Sequence, residues 1–300
     1  MNNGKTLMAT LAALIAQVIF GLSFMFTKIA LNFTSPLTVI ADRYIVAFLG
    51  LTAVMLVSRK KVRLGKNLWK LVIMSLFQPV LYFIFESYGI SMSTSAFSSI
   101  MISLIPVVSM LSGIFVLKEV PSPMQYVYMS LSVLGVIVMA LAGKSDGTVT
   151  TLGIVLLFGA VISSVIFNIS SRKSSKEFTA FERTYAMTVI GLIVFLSISF
   201  VENIENPIEV VSSFLSPRFC GAVIYLGLLS SVVAFLLLNY ANTHLPVAKT
   251  TVFSNITTVV SVIAGIVFLE EKFSVSTAIS TIMIVVGVCG VQLLDTQRTI

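Results

Sequence analysis

The sequence predicts an all-α integral membrane protein with ten transmembrane helices, arranged as two inverted five-helix repeats. Hydrophobic residues make up 57% of the 300 residues and charged residues only 10%, with a mean hydropathy of +1.04. A soluble protein has roughly 25% charged residues, so this chain has too little polar surface for a water-facing globule. Two further observations are a succession of apolar stretches of membrane-spanning length and a similarity between the two halves of the chain.

Breaking the chain at charge clusters and at Pro, Gly and Asn turns gives ten apolar segments. Each has about 19 to 26 residues, the length that an α-helix needs to cross about 30 Å of hydrocarbon. The segments are 7–31, 36–57, 68–89, 94–117, 124–142, 152–173, 182–201, 219–241, 247–269 and 275–294. The first is longer than the apolar core of a signal peptide, so we expect it to be retained as the first membrane helix.

The positions of Lys and Arg predict the orientation in the membrane. Most of the 19 basic residues fall on one side if the N-terminus is placed in the cytoplasm, and the acidic group Glu202, Glu205 and Glu209 falls on the other side. Cytoplasmic loops carry an excess of Lys and Arg. We therefore expect a multi-pass protein of the cell (cytoplasmic or inner) membrane with both termini in the cytoplasm.

An internal repeat divides the chain. A shift of 152 residues superposes polar and glycine positions of the two halves, which are Tyr88 and Tyr240, Gly113 and Gly265, Glu119 and Glu271, and Gly135 and Gly287. Five helices per half is an odd number, so the second half enters the membrane inverted. We expect one repeat at residues 1–145 and the other at 146–300. Such pairs recur in secondary transporters, where they expose a central site to each side in turn.

Short motifs in both halves carry a resemblance to a known family. They are Phe20-Gly21-Leu22-Ser23-Phe24, Lys28, Arg43, Leu117-Lys118-Glu119, Ser122, Gln125 and Gly135, and then Leu269-Glu270-Glu271, Ser274 and Gly287. The chain resembles the drug/metabolite transporter superfamily, and within it the ten-helix EamA-type group, over residues 7–294. The resemblance implies a carrier of small polar metabolites, often amino acids, with a cavity lined by helices 1, 3, 4, 6, 8 and 9. Helix 1 has Gln17 and Lys28 but no acidic residue of the kind that small multidrug exporters of the superfamily use.

Polar side chains at mid-membrane depth mark a candidate substrate site, because a polar group in hydrocarbon is costly unless it faces a partner or a wet cavity. With aromatic side chains as apolar walls, the candidate substrate-binding residues are Gln17, Phe24, Gln78, Tyr82, Ser99, Ser103, Ser163, Phe167, Ser230 and Asn255. Hydrogen bonding between helices is the alternative role for the serines and the asparagine. The set offers hydrogen bonds and little fixed charge, which indicates a zwitterionic or neutral solute.

Two charge clusters are expected nearer the membrane surfaces. The outer cluster consists of Lys28, Asp42, Arg43 and Glu86, and the inner cluster consists of Glu182, Arg183 and Lys249. They are either alternating gates or static ion pairs that join helices. Glu86 is in addition a candidate proton carrier, which makes the proton a candidate coupling ion.

Other function classes fit the sequence less well. Its basic residues lie at the ends of apolar segments and not on one basic face, so nucleic acid is not an expected partner. Cys220, Cys289 and His244 form no metal-ligand or catalytic pattern, so we expect no metal, no cofactor and no enzymatic activity.

Two alternatives to an amino-acid or metabolite exporter stay open. A nucleotide-sugar or phosphorylated-solute carrier of the same superfamily predicts at least two basic side chains at mid-membrane depth. A membrane channel or sensor belongs to another class. The expected partners are a small-molecule substrate and the lipid bilayer, and the chain is expected to be a monomer or a homodimer.

Overall fold

The computed structural model describes residues 3–59, 62, 67–117, 122–145, 149–204, 213–245, 250, 253–271 and 274–293. Over these ranges the regular secondary structure is helical, without a β-strand. Within the described part of the chain, seven helices are long and apolar enough to cross a membrane, and three shorter apolar helices accompany them. The prediction of an all-α membrane protein with ten helices is confirmed.

The helices are numbered 1 to 10 in chain order. The continuous ones are helix 1 (Asn3–Ala30), helix 2 (Pro36–Val57), helix 5 (Pro123–Ser145), helix 6 (Thr151–Ser174), helix 7 (Ala180–Glu202), helix 9 (Ser254–Leu269) and helix 10 (Val275–Leu293). The interrupted ones are helix 3 (Leu68–Ser75, Leu76–Leu81 and Tyr82–Ser91), helix 4 (Ser95–Ile102 and Ile105–Leu117) and helix 8 (Pro217–Ile224, Tyr225–Ala234 and Phe235–His244). We call the membrane face at which helix 1 begins the N face, and the opposite face the far face.

Capping residues fix where several helices begin. The hydroxyls of Ser35 and Thr94 accept hydrogen bonds from backbone N–H groups in the first turns of helices 2 and 4, and Pro36 occupies the first position of helix 2. Thr179 forms a capping box with Glu182 at the start of helix 7. The first N–H groups of a helix have no partner within it, and a membrane protein has little water to supply one.

Three helices are interrupted halfway through the bundle. Helices 3 and 8 each contain a π-helical segment, Leu76–Leu81 and Tyr225–Ala234, and the repeat shift of 152 residues superposes the two. Gln78 has φ −146° and ψ 112°, outside the helical region, and is followed by Pro79, which has no N–H to donate. Interrupted helices near the membrane midplane are typical of transporter substrate sites.

Helix packing follows the repeat. Helix 5 packs against helix 10, helix 2 against helix 7 and helix 4 against helix 9. Helix 3 packs against helix 6 as helix 8 packs against helix 1, so exchanging the two halves exchanges these contacts. The predicted boundary between residues 145 and 146 touches residues 146–148, which lie outside the described residues, and a division at that point stays a prediction.

Candidate substrate chamber

Seven helices surround a cavity of about 60 Å³ between the two halves of the chain. Its lining residues are Gln17, Phe20, Ser23 and Phe24 of helix 1, Arg43 of helix 2, Gln78, Tyr82, Phe83 and Glu86 of helix 3, Ile102 and Ile105 of helix 4, Ser164 and Asn168 of helix 6, Phe235 and Leu238 of helix 8, and Thr250, Ser254 and Thr257 in and before helix 9. Ligand pockets usually begin at roughly 300 Å³. A solute of amino-acid size therefore requires the walls of this chamber to move apart.

Arg43 places a positive charge in the chamber. Its side chain is buried, and its Nε and Nη2 atoms donate hydrogen bonds to the hydroxyls of Ser231 (2.6 Å) and Ser230 (2.8 Å). The guanidinium carbon lies 4.0 Å from the centre of the Phe83 ring. Two serines and an aromatic face thus fix the orientation of the guanidinium without a direct ion pair to a carboxylate among the described residues.

Glu86 and Tyr82 lie on the same face of helix 3 and line the same chamber. The Tyr82 hydroxyl donates a hydrogen bond of 2.9 Å to Oε1 of Glu86. The Glu86 side chain is 4% exposed, so its carboxyl group is enclosed by protein. The chamber consequently contains an acidic group as well as a basic one.

Amide side chains supply further acceptors. Oε1 of Gln17 accepts a hydrogen bond of 2.7 Å from the Thr257 hydroxyl, which joins helix 1 to helix 9. Oε1 of Gln78 is buried and has no hydrogen-bond partner among the described residues. An unpartnered amide oxygen in a chamber wall is suited to accept a hydrogen bond from a solute N–H or O–H group.

Phe235 is the centre of the aromatic wall. Its ring lies 5.2 Å from Phe20, 6.2 Å from Phe83 and 6.1 Å from Phe167, each with an edge-to-face arrangement. Such contacts are favourable beyond the burial of the rings. The polar groups therefore sit in a packed apolar frame that connects helices 1, 3, 6 and 8.

The sequence matches the EamA-like transporter family over residues 7–141 and again over residues 151–293. The chain belongs to this family. The uncharacterized transporter YcxC of Bacillus subtilis is 32% identical over 288 residues, which covers 94% of this chain and 92% of the relative. An uncharacterized transporter of Archaeoglobus fulgidus is 24% identical, over 90% of this chain and 93% of the relative. A crystal structure with 18% identity and a TM-score of 0.66 covers 95% of this chain and 96% of its own, and shows the same fold.

In this EamA-like transporter, the chamber includes four of the predicted substrate-binding residues, Gln17, Phe24, Gln78 and Tyr82. The chamber lining does not include the other six predicted residues, which are Ser99, Ser103, Ser163, Phe167, Ser230 and Asn255. Ser99 and Ser103 donate to carbonyl groups of their own helix, at 2.9 and 2.6 Å. Ser230 contacts the chamber through Arg43, and Nδ2 of Asn255 donates to the Cys289 sulfur at 3.2 Å. Hydrogen bonding within the helix bundle accounts for the hydroxyls of Ser99, Ser103 and Ser230 and for Nδ2 of Asn255.

Several chamber residues were not among the predicted ones. Ser164 and Asn168 line the chamber where the sequence suggested their neighbours Ser163 and Phe167, which face about 100° away on an α-helix. Arg43 and Glu86 were predicted for a charge cluster in the outer third, yet both line the chamber. A signal was present in the sequence, because Ser164 and Asn168 are polar residues four positions apart on one helix face.

The outer charge cluster does not form as a set of ion pairs among the described residues. Nζ of Lys28 donates to the carbonyl groups of Ile90 (2.9 Å) and Ser93 (2.5 Å), at and after the end of helix 3. Oδ2 of Asp42 is buried and has no partner in the described part of the chain. Unpaired carbonyls at a helix C-terminus attract a cation, so Lys28 binds the end of helix 3 and not a carboxylate.

The inner cluster is likewise built on helix ends. Arg183 is fully buried and donates to the Ser171 hydroxyl (2.6 Å) and to the Asn239 carbonyl (2.6 Å). Oε2 of Glu182 accepts from the Thr179 N–H at 2.8 Å in the capping box. Lys249, the third predicted member, lies outside the described residues.

Arg172, which was not among the predicted residues, binds the end of a helix at the N face, as Lys28 does at the far face. Its Nη1 atom donates to the carbonyl groups of Asn242 and Thr243 at the end of helix 8. The repeat shift of 152 residues superposes Ile90 and Asn242, so the two basic residues bind equivalent helix ends on opposite faces. Each contact stays within one half of the chain.

One ion pair is present among the described residues. Lys70, near the start of helix 3, binds Glu177 between helices 6 and 7 at the N face, and Asn67 donates to the same carboxylate at 3.0 Å. These hydrogen bonds lower the pKa of the Glu177 carboxyl group. The pair is exposed, so salt screens it and it contributes little to the fold.

Proposed function

We propose that this protein is a secondary carrier that moves a small zwitterionic metabolite, with amino acids as the leading class, by alternating access. The observation that carries the proposal is that Arg43 and Glu86, one basic and one acidic side chain, line the same chamber between the two halves. Family membership supports transport as the general activity.

The two charged groups of an amino acid match the two charged side chains of the chamber in sign. A guanidinium is suited to a carboxylate because its N–H groups point in one plane, as the carboxylate oxygens do. Arg43 uses Nε and Nη2 on the serines, which leaves Nη1 for a solute carboxylate. The solute ammonium group can donate to the Glu86 carboxylate and to Oε1 of Gln78, which has no other partner in the described part of the chain.

The charge balance favours a zwitterion over a phosphorylated solute. Arg43 is the one basic side chain among the described residues that line the chamber, and Glu86 opposes it. A phosphate carries close to two negative charges at neutral pH and needs more than one cation in a low-dielectric site.

We further propose that the N face is cytoplasmic, that the membrane is the cell (inner) membrane, and that net transport is export. The distribution of Lys and Arg supports this orientation. Glu86 is the candidate site for proton coupling, because it is the acidic side chain among the described residues that line the chamber and can meet solute and solvent alternately.

The test is a ligand panel on purified protein in detergent, followed by counterflow in proteoliposomes. A ligand that binds the folded state raises its thermal midpoint. We expect amino acids to raise the midpoint and to support saturable counterflow, and purines and nucleotide sugars to do neither. Stabilisation and counterflow by nucleotide sugars alone contradict the proposal and favour the alternative carrier.

A further inference from the structure

A second polar cluster, outside the chamber, lies at the far face where helix 9 ends beside the start of helix 4. The Glu271 carboxylate accepts hydrogen bonds from the backbone N–H groups of Ser95 (2.7 Å) and Ala96 (3.0 Å). N–H groups in the first turn of a helix have no carbonyl partner within it, and the positive end of the helix dipole lies there. Glu271 therefore caps a helix that belongs to the other half of the chain.

The local sequence builds this contact. Helix 9 ends at Leu269, and Glu270 takes a left-handed conformation with φ 54°, which reverses the chain. The Glu271 N–H then donates to the Gly265 carbonyl at 3.1 Å. A Cβ atom on Gly265 would lie 2.6 Å from Oε2 of Glu271 and 3.1 Å from the Ser95 hydroxyl oxygen. Glycine at position 265 thus leaves the space that the carboxylate occupies.

The contact continues inward as a seam between helices 4 and 9. The Ser261 hydroxyl donates to the Ser95 carbonyl and the Thr258 hydroxyl donates to the Ser99 carbonyl, each at 3.3 Å. The chamber begins at the adjacent residue of helix 9, Thr257, which lines it. Helices 4 and 9 therefore close over the chamber on the side of the far face, with Glu271 at the end of the seam.

We propose that Glu271 is a positioning residue for transport, whose carboxylate holds the start of helix 4 against the end of helix 9 and keeps the chamber closed to the far face. The inference rests on the proposed carrier function, because a carrier has to part its two halves at the mouth that opens. Two charge-assisted hydrogen bonds cross the seam here, and they are stronger than the neutral bonds at Ser261 and Thr258. Weakening them shifts the population towards the state open to the far face.

The test measures access to the chamber from each side of the membrane. In a background with Cys220→Ser and Cys289→Ser, the substitution Ser23→Cys places a thiol in the chamber wall. Proteoliposomes of known orientation are treated with a membrane-impermeant thiol reagent from either face. Glu271→Gln removes the charge and keeps the shape of the side chain, and Glu270→Gln is the matched control at the exposed neighbour.

A second variant weakens the same contact by a substitution in helix 4. Ser95 is the first residue of the helix, and Thr94 before it is extended with φ −96° and ψ 161°. Proline is tolerated at this position and after such a residue, so Ser95→Pro removes one donor to Glu271 with little cost to the helix. If Glu271→Gln does not fold, labelling of the Ser95→Pro variant alone tests the proposal.

We expect both variants to speed labelling of the chamber thiol from the far face by about tenfold, without faster labelling from the N face, as the loss of one charge-assisted hydrogen bond predicts. Unchanged labelling in both variants, or an equal increase in Glu270→Gln, overturns the proposal.

The labelling experiment needs no solute, so its result can be interpreted separately from the test of the carrier function. Faster labelling in both variants without counterflow of any solute by wild type refutes the carrier function alone, and counterflow with unchanged labelling refutes the role of Glu271 alone.

Discussion

Replacing Arg43 with Gln removes the positive charge to which the proposed function assigns the solute carboxylate. The wild-type guanidinium makes two hydrogen bonds to serine hydroxyls and lines the chamber. A hydrogen bond to a charged group contributes about 1.5–3 kcal/mol. Since about 1.4 kcal/mol is a factor of ten, the apparent affinity for an amino acid should fall roughly 10- to 150-fold.

The assay is counterflow of a radiolabelled amino acid over a range of concentrations in proteoliposomes. Arg43→Lys keeps the charge but loses the planar arrangement of donors, so its affinity should lie between those of wild type and Arg43→Gln. Arg218→Gln is the matched control, because Arg218 is exposed at the start of helix 8. Ser230 and Ser231 can turn to carbonyl groups of their own helix, so we expect the variant to fold. An unchanged half-saturation concentration in folded Arg43→Gln refutes the assignment.

Three further outcomes follow from other parts of the structure. Glu86→Gln should abolish solute flux driven by a pH gradient, while exchange persists at saturating solute with a weaker half-saturation concentration, because the variant also loses the charge that binds the solute ammonium; persisting gradient dependence in vesicles excludes Glu86 as the proton carrier. Arg183→Met should lower stability by about 3 kcal/mol or more, because it leaves buried acceptors unpaired; a midpoint equal to that of Arg59→Met, at an exposed position, speaks against this. Because the pKa of Glu177 is lowered, its pair with Lys70 is present at neutral pH and is lost as the pH falls through the lowered value. Glu177→Gln should therefore leave the thermal midpoint at neutral pH nearly unchanged, since the pair is exposed, and a large loss there contradicts this weak role.

The sequence was sufficient to predict the helices because their physical causes are local. The length of an apolar segment determines whether it can cross the membrane. A serine followed by a proline, such as Ser35 and Pro36, favours a helix start at that point. The interruption of helix 4 between Ile102 and Ile105 lies just before Pro106, which has no N–H to donate to the Ile102 carbonyl, whereas the predicted segment 94–117 is one continuous helix.

Part of the chamber lining follows from the sequence, and the serines show one reason why the rest does not. Gln17, Gln78 and Tyr82 were found because amide and phenol groups in hydrocarbon need a polar neighbour. Ser99 and Ser103 were expected to line the chamber, but a serine hydroxyl can bond a carbonyl of its own helix and then gives no information about the direction it faces.

Helix register explains the remaining differences. A π turn contains an extra residue, so the faces after it are rotated relative to a regular helix. Helices 3 and 8 both contain such segments, and the sequence does not show how they rotate Glu86 and Phe235 towards the chamber. The depth of its Cα atom places Arg43 in the outer third, but its long side chain extends to the serines of helix 8.

Counterflow with three matched solutes tests the central claim most directly, namely that Arg43 and Glu86 bind the two ends of one zwitterion in the chamber. The solutes are an amino acid, the amine that lacks its carboxylate and the acid that lacks its amino group. The account predicts saturable counterflow of the amino acid in wild type, at least tenfold weaker half-saturation for either single-ended analogue, and loss of the preference over the amine in Arg43→Gln. Equal transport of all three solutes by wild type, or a preference over the amine that survives in Arg43→Gln, would contradict it.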